Sequence, residues 1–104
     1  VNVASTAAKR AWANAAAYHA SKWGLIGFTR ALGVEGRPHN IRATALVPGG
    51  MQTPFFDRLE VKPDPAKLQP PEAVAEVIVF IVSRPVDSVI QELMVTPLAE
   101  TSWP

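Results

Sequence analysis

Three short apolar runs, Val1–Ser5, Ile41–Val47 and Val89–Val95, are separated by two longer stretches of helical periodicity. This alternation constrains the fold more than any other feature of the chain. Strands that alternate with helices favour a parallel sheet, because parallel neighbours need a crossover long enough to hold a helix. Such crossovers are expected to be right-handed. The middle run, Ala43-Thr44-Ala45-Leu46-Val47, is mostly apolar, as in a strand covered on both faces. With 104 residues, 48% hydrophobic and 18% charged, the chain suffices for one small domain with a core. Three strands and two helices make an α/β unit of about half an ordinary doubly wound domain.

The first helix is predicted from about Ala15 to Val34, with Asn14 as its N-cap. Leu25, Ile26, Phe28, Ala31 and Leu32 form its apolar side. Gly24 and Gly27 each cost roughly 1 kcal/mol of helix propensity relative to Ala, which suggests that another backbone approaches there. Gly36, Arg37 and Pro38 end the helix. Pro48-Gly49-Gly50 stops the second strand, and Met51–Gln69 is an irregular stretch expected to be a functional loop or lid. Within it, Phe55 and Phe56 suit either a pocket wall or a loop anchor, while Asp57, Glu60 and Asp64 suit a solvated face. Pro70-Pro71-Glu72 opens the second helix, with Val74, Val77, Ile78, Ile81 and Val82 as its apolar stripe. A polar tail, Thr96–Pro104, closes the chain.

The charge balance excludes several partners. The formal net charge is +1 and no Lys/Arg cluster occurs, so nucleic acid and anionic membranes have no electrostatic claim. No apolar stretch reaches the ~18 residues that span a bilayer. Val1–Ser5 lacks the basic segment of a signal peptide. The absence of cysteine excludes disulfides and thiolate chemistry and fits a reducing compartment, so a cytoplasmic location is expected. His19 and His39 have no metal-ligand partner at suitable spacing, and no metal is expected. His19 points about 100° away from its neighbour Tyr18 on a helix and reads as a surface or interface residue; His39 reads as a loop residue. Trp12, Trp23 and Trp103 read as packing or subunit-contact residues, Trp12 being placed where it could also border a substrate.

Chemistry concentrates near the first helix. Tyr18 and Lys22 stand at i and i+4 and share a face. A phenol ionises near pH ~10 in water, and a nearby cation stabilises the phenolate. The helix N-terminus adds positive potential. In open α/β sheets, ligands bind beyond the carboxyl ends of the strands. Ser5 lies at one such end and Pro48-Gly49 at the next, so three separate segments converge on one rim.

Ser5, Tyr18-His19-Ala20-Ser21-Lys22, and Ile41–Val47 followed by Pro48-Gly49 and Thr53 together resemble the C-terminal half of a short-chain dehydrogenase/reductase. The resemblance covers nearly the whole chain. It implies the C-terminal β-α-β-α-β portion of a doubly wound, Rossmann-like fold and an NAD(P)-dependent oxidoreductase of carbonyl or alcohol substrates. By the same resemblance Tyr18 is the general acid/base and Ser5 hydrogen-bonds the substrate oxygen. Lys22 holds the nicotinamide ribose and stabilises the phenolate. Pro48 and Gly49 border the nicotinamide, and Thr53 meets its carboxamide. The cofactor is NAD or NADP; a loose likeness of Ser83–Pro97 to NADP-dependent hydroxy-acid dehydrogenases puts NADP ahead. Family helices of the Tyr18–Val34 kind pack in dimers, so a homo-oligomer through this helix is expected.

The family's glycine-rich phosphate turn, its Asn-Ala-Gly segment and its catalytic asparagine have no counterpart in these residues. The expectation is therefore a single partial domain over residues 1–104, the catalytic and substrate-side half, with the nucleotide-binding half absent. Taken alone, such a chain is expected to be inactive and, with the Val1–Ser5 edge bare, marginally stable and prone to associate. The alternative reading is a truncated, non-catalytic remnant serving only as an oligomerisation or interaction module.

Overall fold

The structure is a computed structural model that describes residues 1–101; Trp103 lies outside the described residues. Three strands, β1 (Asn2–Val3), β2 (Ala45–Pro48) and β3 (Glu92–Val95), form one parallel sheet in the order β1-β2-β3. Helix α1 (Ala16–Gly36) joins β1 to β2, and helix α2 (Pro71–Val82) joins β2 to β3. The predicted alternation is present, with each strand shorter than its apolar run. Among the described residues no helix is long and apolar enough to cross a membrane.

The residues of β2 are all buried, and their side chains alternate between two cores. Ala45 and Val47 join Ala4, Ala8 and Ile26 on the α1 side. Leu46 joins Val74 and Ile81 on the α2 side. The sheet is therefore covered on both faces, as in a doubly wound fold. One consequence departs from expectation. Parallel strands in sequential order, with successive helices on opposite faces, require crossovers of opposite hand. One of the two thus breaks the right-handed rule. The connection into α2 first runs through the long irregular segment after Gly49, which gives the chain slack to reach the far face.

Helix α1 differs from its predicted details. Its buried residues are His19, Ile26, Thr29 and Gly36, a stripe at helical spacing. Phe28 and Ala31 face outward instead of joining the core. Asn14 does not cap the helix; it sits at φ 62, where its short polar side chain tolerates a left-handed backbone, and Ala15 occupies the N-cap without a side-chain bond. A Cβ added at Gly24 or Gly27 would meet nothing within 4 Å, so no backbone of the described residues approaches either. The tightly packed helical glycine is Gly36, where a Cβ would stand 2.9 Å from that of Ile41.

Two buried threonines are paired through their hydroxyls. Thr29 Oγ1 accepts from Asn2 Nδ2 at 3.0 Å and donates to Leu25 O at 2.7 Å, fastening β1 to α1. Thr44 Oγ1 donates to Ile90 O at 2.6 Å beside β3.

On the α1 side, Glu92 of β3 binds Lys9 and lies 3.4 Å from Arg30. The Lys9 hydrogen bond is the chief cause that holds the Glu92 carboxyl below the usual glutamate range; desolvation opposes it, and the charges of Lys9 and Arg30 add to it. A lowered folded-state value means that the pair's stabilisation is fully present above the unfolded value. It is lost as pH falls through the folded one. Glu92→Gln is therefore expected to lower the melting temperature at neutral pH, with the gap to wild type closing as acid is added below about pH 4. A gap that stays constant down to full protonation would exclude this role for Glu92.

Candidate active site

Beyond the carboxyl ends of the strands lies a cavity of about 430 Å³. Ser5, Tyr18, Lys22, Pro48, Gly49 and Thr53, the six residues singled out from sequence, all line it. Their convergence follows from the topology. Ser5 follows β1, Pro48 ends β2 with Gly49 next to it, and Tyr18 stands in the first turn of α1. Thr53 comes from the segment after Gly49–Gly50.

Local geometry sets each side chain. Ser5 caps the 3₁₀ turn Thr6–Ala8 in extended conformation, its Oγ accepting from Ala7 N at 3.1 Å. With the oxygen so engaged, the Ser5 proton remains available to a second group. The Lys22 ammonium donates to Val3 O at 3.1 Å and stands 5.8 Å from the centre of the Tyr18 ring. Among the described residues the Tyr18 hydroxyl has no hydrogen-bond partner, and its ring packs on Phe55 with centroids 5.4 Å apart. Phe55 and Phe56 meet edge to face at 5.1 Å, and both line the cavity. Of their two sequence readings, pocket wall and loop anchor, the wall is present. Thr53 caps the turn Pro54–Phe56, accepting from Phe55 N at 3.4 Å.

The loop between β2 and α2 is clasped at its base. Met51 and Gln69 form a bridge, Gln52 N donates to Gln69 O at 2.9 Å, and Gln69 N donates to Gly50 O at 3.1 Å. The buried Gln69 side chain reaches Val95 O at 3.1 Å, tying the loop to the end of β3. Asp57, Glu60 and Asp64 are exposed as expected, and Asp64 also caps the turn Pro65–Lys67.

Some cavity residues were missed from sequence. Arg10 lines the wall, 5.3 Å from the Trp12 ring centre and 3.9 Å from Glu100 of the tail. Trp12, already placed from sequence where it could border a substrate, lines the same wall. His19 is the largest correction: it is buried beneath the loop after Ser5, 8% exposed, and not a surface residue. Counting back one heptad from Ile26 along the buried stripe reaches His19, a signal available in the sequence.

Gly49 closes the floor. Its N–H donates to Val95 O at 2.8 Å, and an added Cβ would lie 2.9 Å from Pro97 Cδ and 3.2 Å from Thr96 Cα. Gly49→Ala must displace backbone after β3. It is expected to cost about 1–3 kcal/mol of stability, read as a lowered denaturant midpoint. An unchanged midpoint would show that this contact yields freely.

The family model of the short chain dehydrogenases matches residues 1–64. The chain belongs to the short-chain dehydrogenase family. A 2-dehydro-3-deoxy-L-rhamnonate dehydrogenase (NAD(+)) of a Sphingomonas species is 48% identical over 59 residues, which cover 57% of this chain and 24% of that one. The crystal structure of an actinorhodin polyketide ketoreductase with NADPH superposes with a TM-score of 0.74 at 31% identity, covering 92% of this chain and 44% of that one. A metagenomic short-chain oxidoreductase in complex with NADP gives a TM-score of 0.69 at 30% identity, covering 92% and 36%. This chain spans less than half the length of the curated relatives it matches. The Rossmann-like α/β fold of the family is thereby established for the chain.

Proposed function

We propose that these residues form the catalytic and substrate-side part of an NAD(P)-dependent oxidoreductase that interconverts a carbonyl and an alcohol. The observation that carries this reading is the convergence of Ser5, Tyr18 and Lys22 on one cavity wall from two different elements. The cavity suits a nicotinamide nucleoside on the Lys22 side. The ammonium offers donors to ribose hydroxyls, Thr53 carries a hydroxyl for an amide, and Pro48 and Gly49 give a flat main-chain border. Two solved relatives bear NADPH or NADP and one curated relative is named for NAD(+), which supports a nicotinamide cofactor of either kind.

When bound, the nicotinamide supplies or accepts the hydride. Ser5 donates its free proton to the substrate oxygen and fixes it in the cavity. Tyr18 passes a proton to that oxygen during reduction and takes it back during oxidation. Negative charge that develops on the Tyr18 oxygen is met by the Lys22 ammonium and by the N-terminus of α1. Trp12, Phe55 and Phe56 make the remaining wall largely apolar and suit a substrate with a hydrophobic body. The test is NADPH oxidation by the whole protein across a panel of ketones and ketoacyl thioesters, followed by absorbance. Turnover with at least one, cut about a hundredfold but still measurable in Ser5→Ala, is the expected result; no turnover with any carbonyl or alcohol refutes the assignment.

The outer face of α1 supports a second element of the proposal, self-association. Trp23 and Phe28 are more than half exposed, and Gly24 and Gly27 leave open space between them. A second copy of this helix would bury that face. Trp23→Glu is expected to halve the mass measured by light scattering; an unchanged mass excludes this interface.

A further inference from the structure

The imidazole of His19 is held at both ends by the main chain of the loop that follows Ser5. Nδ1 lies 2.8 Å from Ala7 O, and Nε2 lies 3.1 Å from Trp12 N. A carbonyl only accepts and a peptide N–H only donates. Nδ1 therefore carries the proton, and Nε2 accepts from Trp12. The ring also meets the Trp12 indole edge to face, with centroids 4.4 Å apart at 73°. Ala7 has both main-chain groups engaged: its N–H binds Ser5 Oγ, and its carbonyl binds His19. A continuous path thus runs from the helix that carries Tyr18, through His19 and Ala7, to the Ser5 hydroxyl.

We propose that His19 is a positioning residue, which fixes the Ser5 hydroxyl relative to the Tyr18 phenol and holds Trp12 against the cavity. The inference rests on the reading of Ser5 and Tyr18 as the pair that handles the substrate oxygen. Its physical basis is that Ser5 and Tyr18 belong to different segments, and the apolar packing of the buried Ala7 and Ala8 is non-directional, so it leaves the orientation of the hydroxyl free. The buried imidazole removes that freedom with two hydrogen bonds of fixed direction, spaced by a rigid ring. The residue type matters because the loop presents one acceptor and one donor. A neutral imidazole matches both at once, whereas an aliphatic or phenyl group matches neither.

The test uses the whole protein with NADPH and a carbonyl substrate that it turns over. His19→Phe keeps a ring beside Trp12 but makes neither bond; kcat is expected to fall about 10–100-fold, with NADPH affinity unchanged. His19→Asn retains a donor near the Nδ1 position and is expected to recover most of that loss. In a Ser5→Ala background, His19→Phe is expected to cost less than about threefold, because the group it positions is gone. An equal loss for Phe and Asn, or an undiminished loss in the Ser5→Ala background, overturns the proposal. A second readout does not depend on turnover. Long-range ¹⁵N–¹H correlation spectra of the folded wild-type protein should show His19 as a single Nδ1–H tautomer. An Nε2–H form or a tautomer average overturns the anchor itself. The expected tautomer in a protein that reduces no carbonyl would instead locate the failure in the oxidoreductase reading.

Discussion

Tyr18→Phe in the whole protein is expected to cut turnover by about a thousandfold while leaving NAD(P)H affinity nearly unchanged. The substitution removes one oxygen and little else. The ring would still pack on Phe55 at 5.4 Å and beside His19 at 6.4 Å, so the cavity wall keeps its shape. Lys22 keeps its bond to Val3 O and its place along the cavity. What disappears is the only phenol in the chain, and with it the group proposed to exchange a proton with the substrate oxygen. Water or Ser5 would have to take over. The measurement is kcat by absorbance together with cofactor affinity by fluorescence titration. Near-normal turnover would remove Tyr18 from the mechanism, and a matching loss of cofactor affinity would make it a binding residue.

Arg42→Met is expected to destabilise the chain by about 2–3 kcal/mol, although Arg42 contacts no part of the cavity. Its guanidinium gathers the carbonyls after helix α2. Nη1 lies 2.9 Å from Arg84 O, 2.7 Å from Pro85 O and 2.9 Å from Ser88 O, and Nη2 lies 3.4 Å from Val82 O. These carbonyls lie at and just past the helix end, where intrahelical partners run out and a cation complements the dipole. Arg42 is partly exposed, and these bonds share donors, so their summed gross strength overstates the loss. For a domain of this size the expected fall in melting temperature is about 10–20 °C. Arg42→Lys should recover only part of it, because one ammonium cannot span the same fan of carbonyls. A change of less than a few degrees in Arg42→Met would show that water replaces these bonds at no cost.

Both predictions mix local and distant causes, and the division explains what could be read from sequence. The Tyr18–Lys22 pair was legible because four residues of helix fix a shared face, whatever the rest of the fold does. Ser5 and Pro48-Gly49 were legible because strand ends in a parallel sheet share a rim. The structure sets all of them, with Thr53, around one cavity. Arg42 and Gln69 were not legible: each side chain binds carbonyls far along the chain, and nothing in their neighbouring residues marks them. His19 lies off the Tyr18 face, on the buried stripe of the same helix. The heptad leading to Ile26 carried the better signal.

The sequence alone determines the order of elements, because hydrophobic period and breaker residues act within a few positions. It also determines that β2 is buried on both faces and that Tyr18 and Lys22 lie together. Only the tertiary structure decides the opposite hands of the two crossovers, the clasp at Gln52 and Gln69, and the burial of His19. These depend on which distant groups meet when the two cores close on opposite faces of β2. Hydrogen-bond direction and side-chain volume settle them at that point, and neither has a signature along the chain.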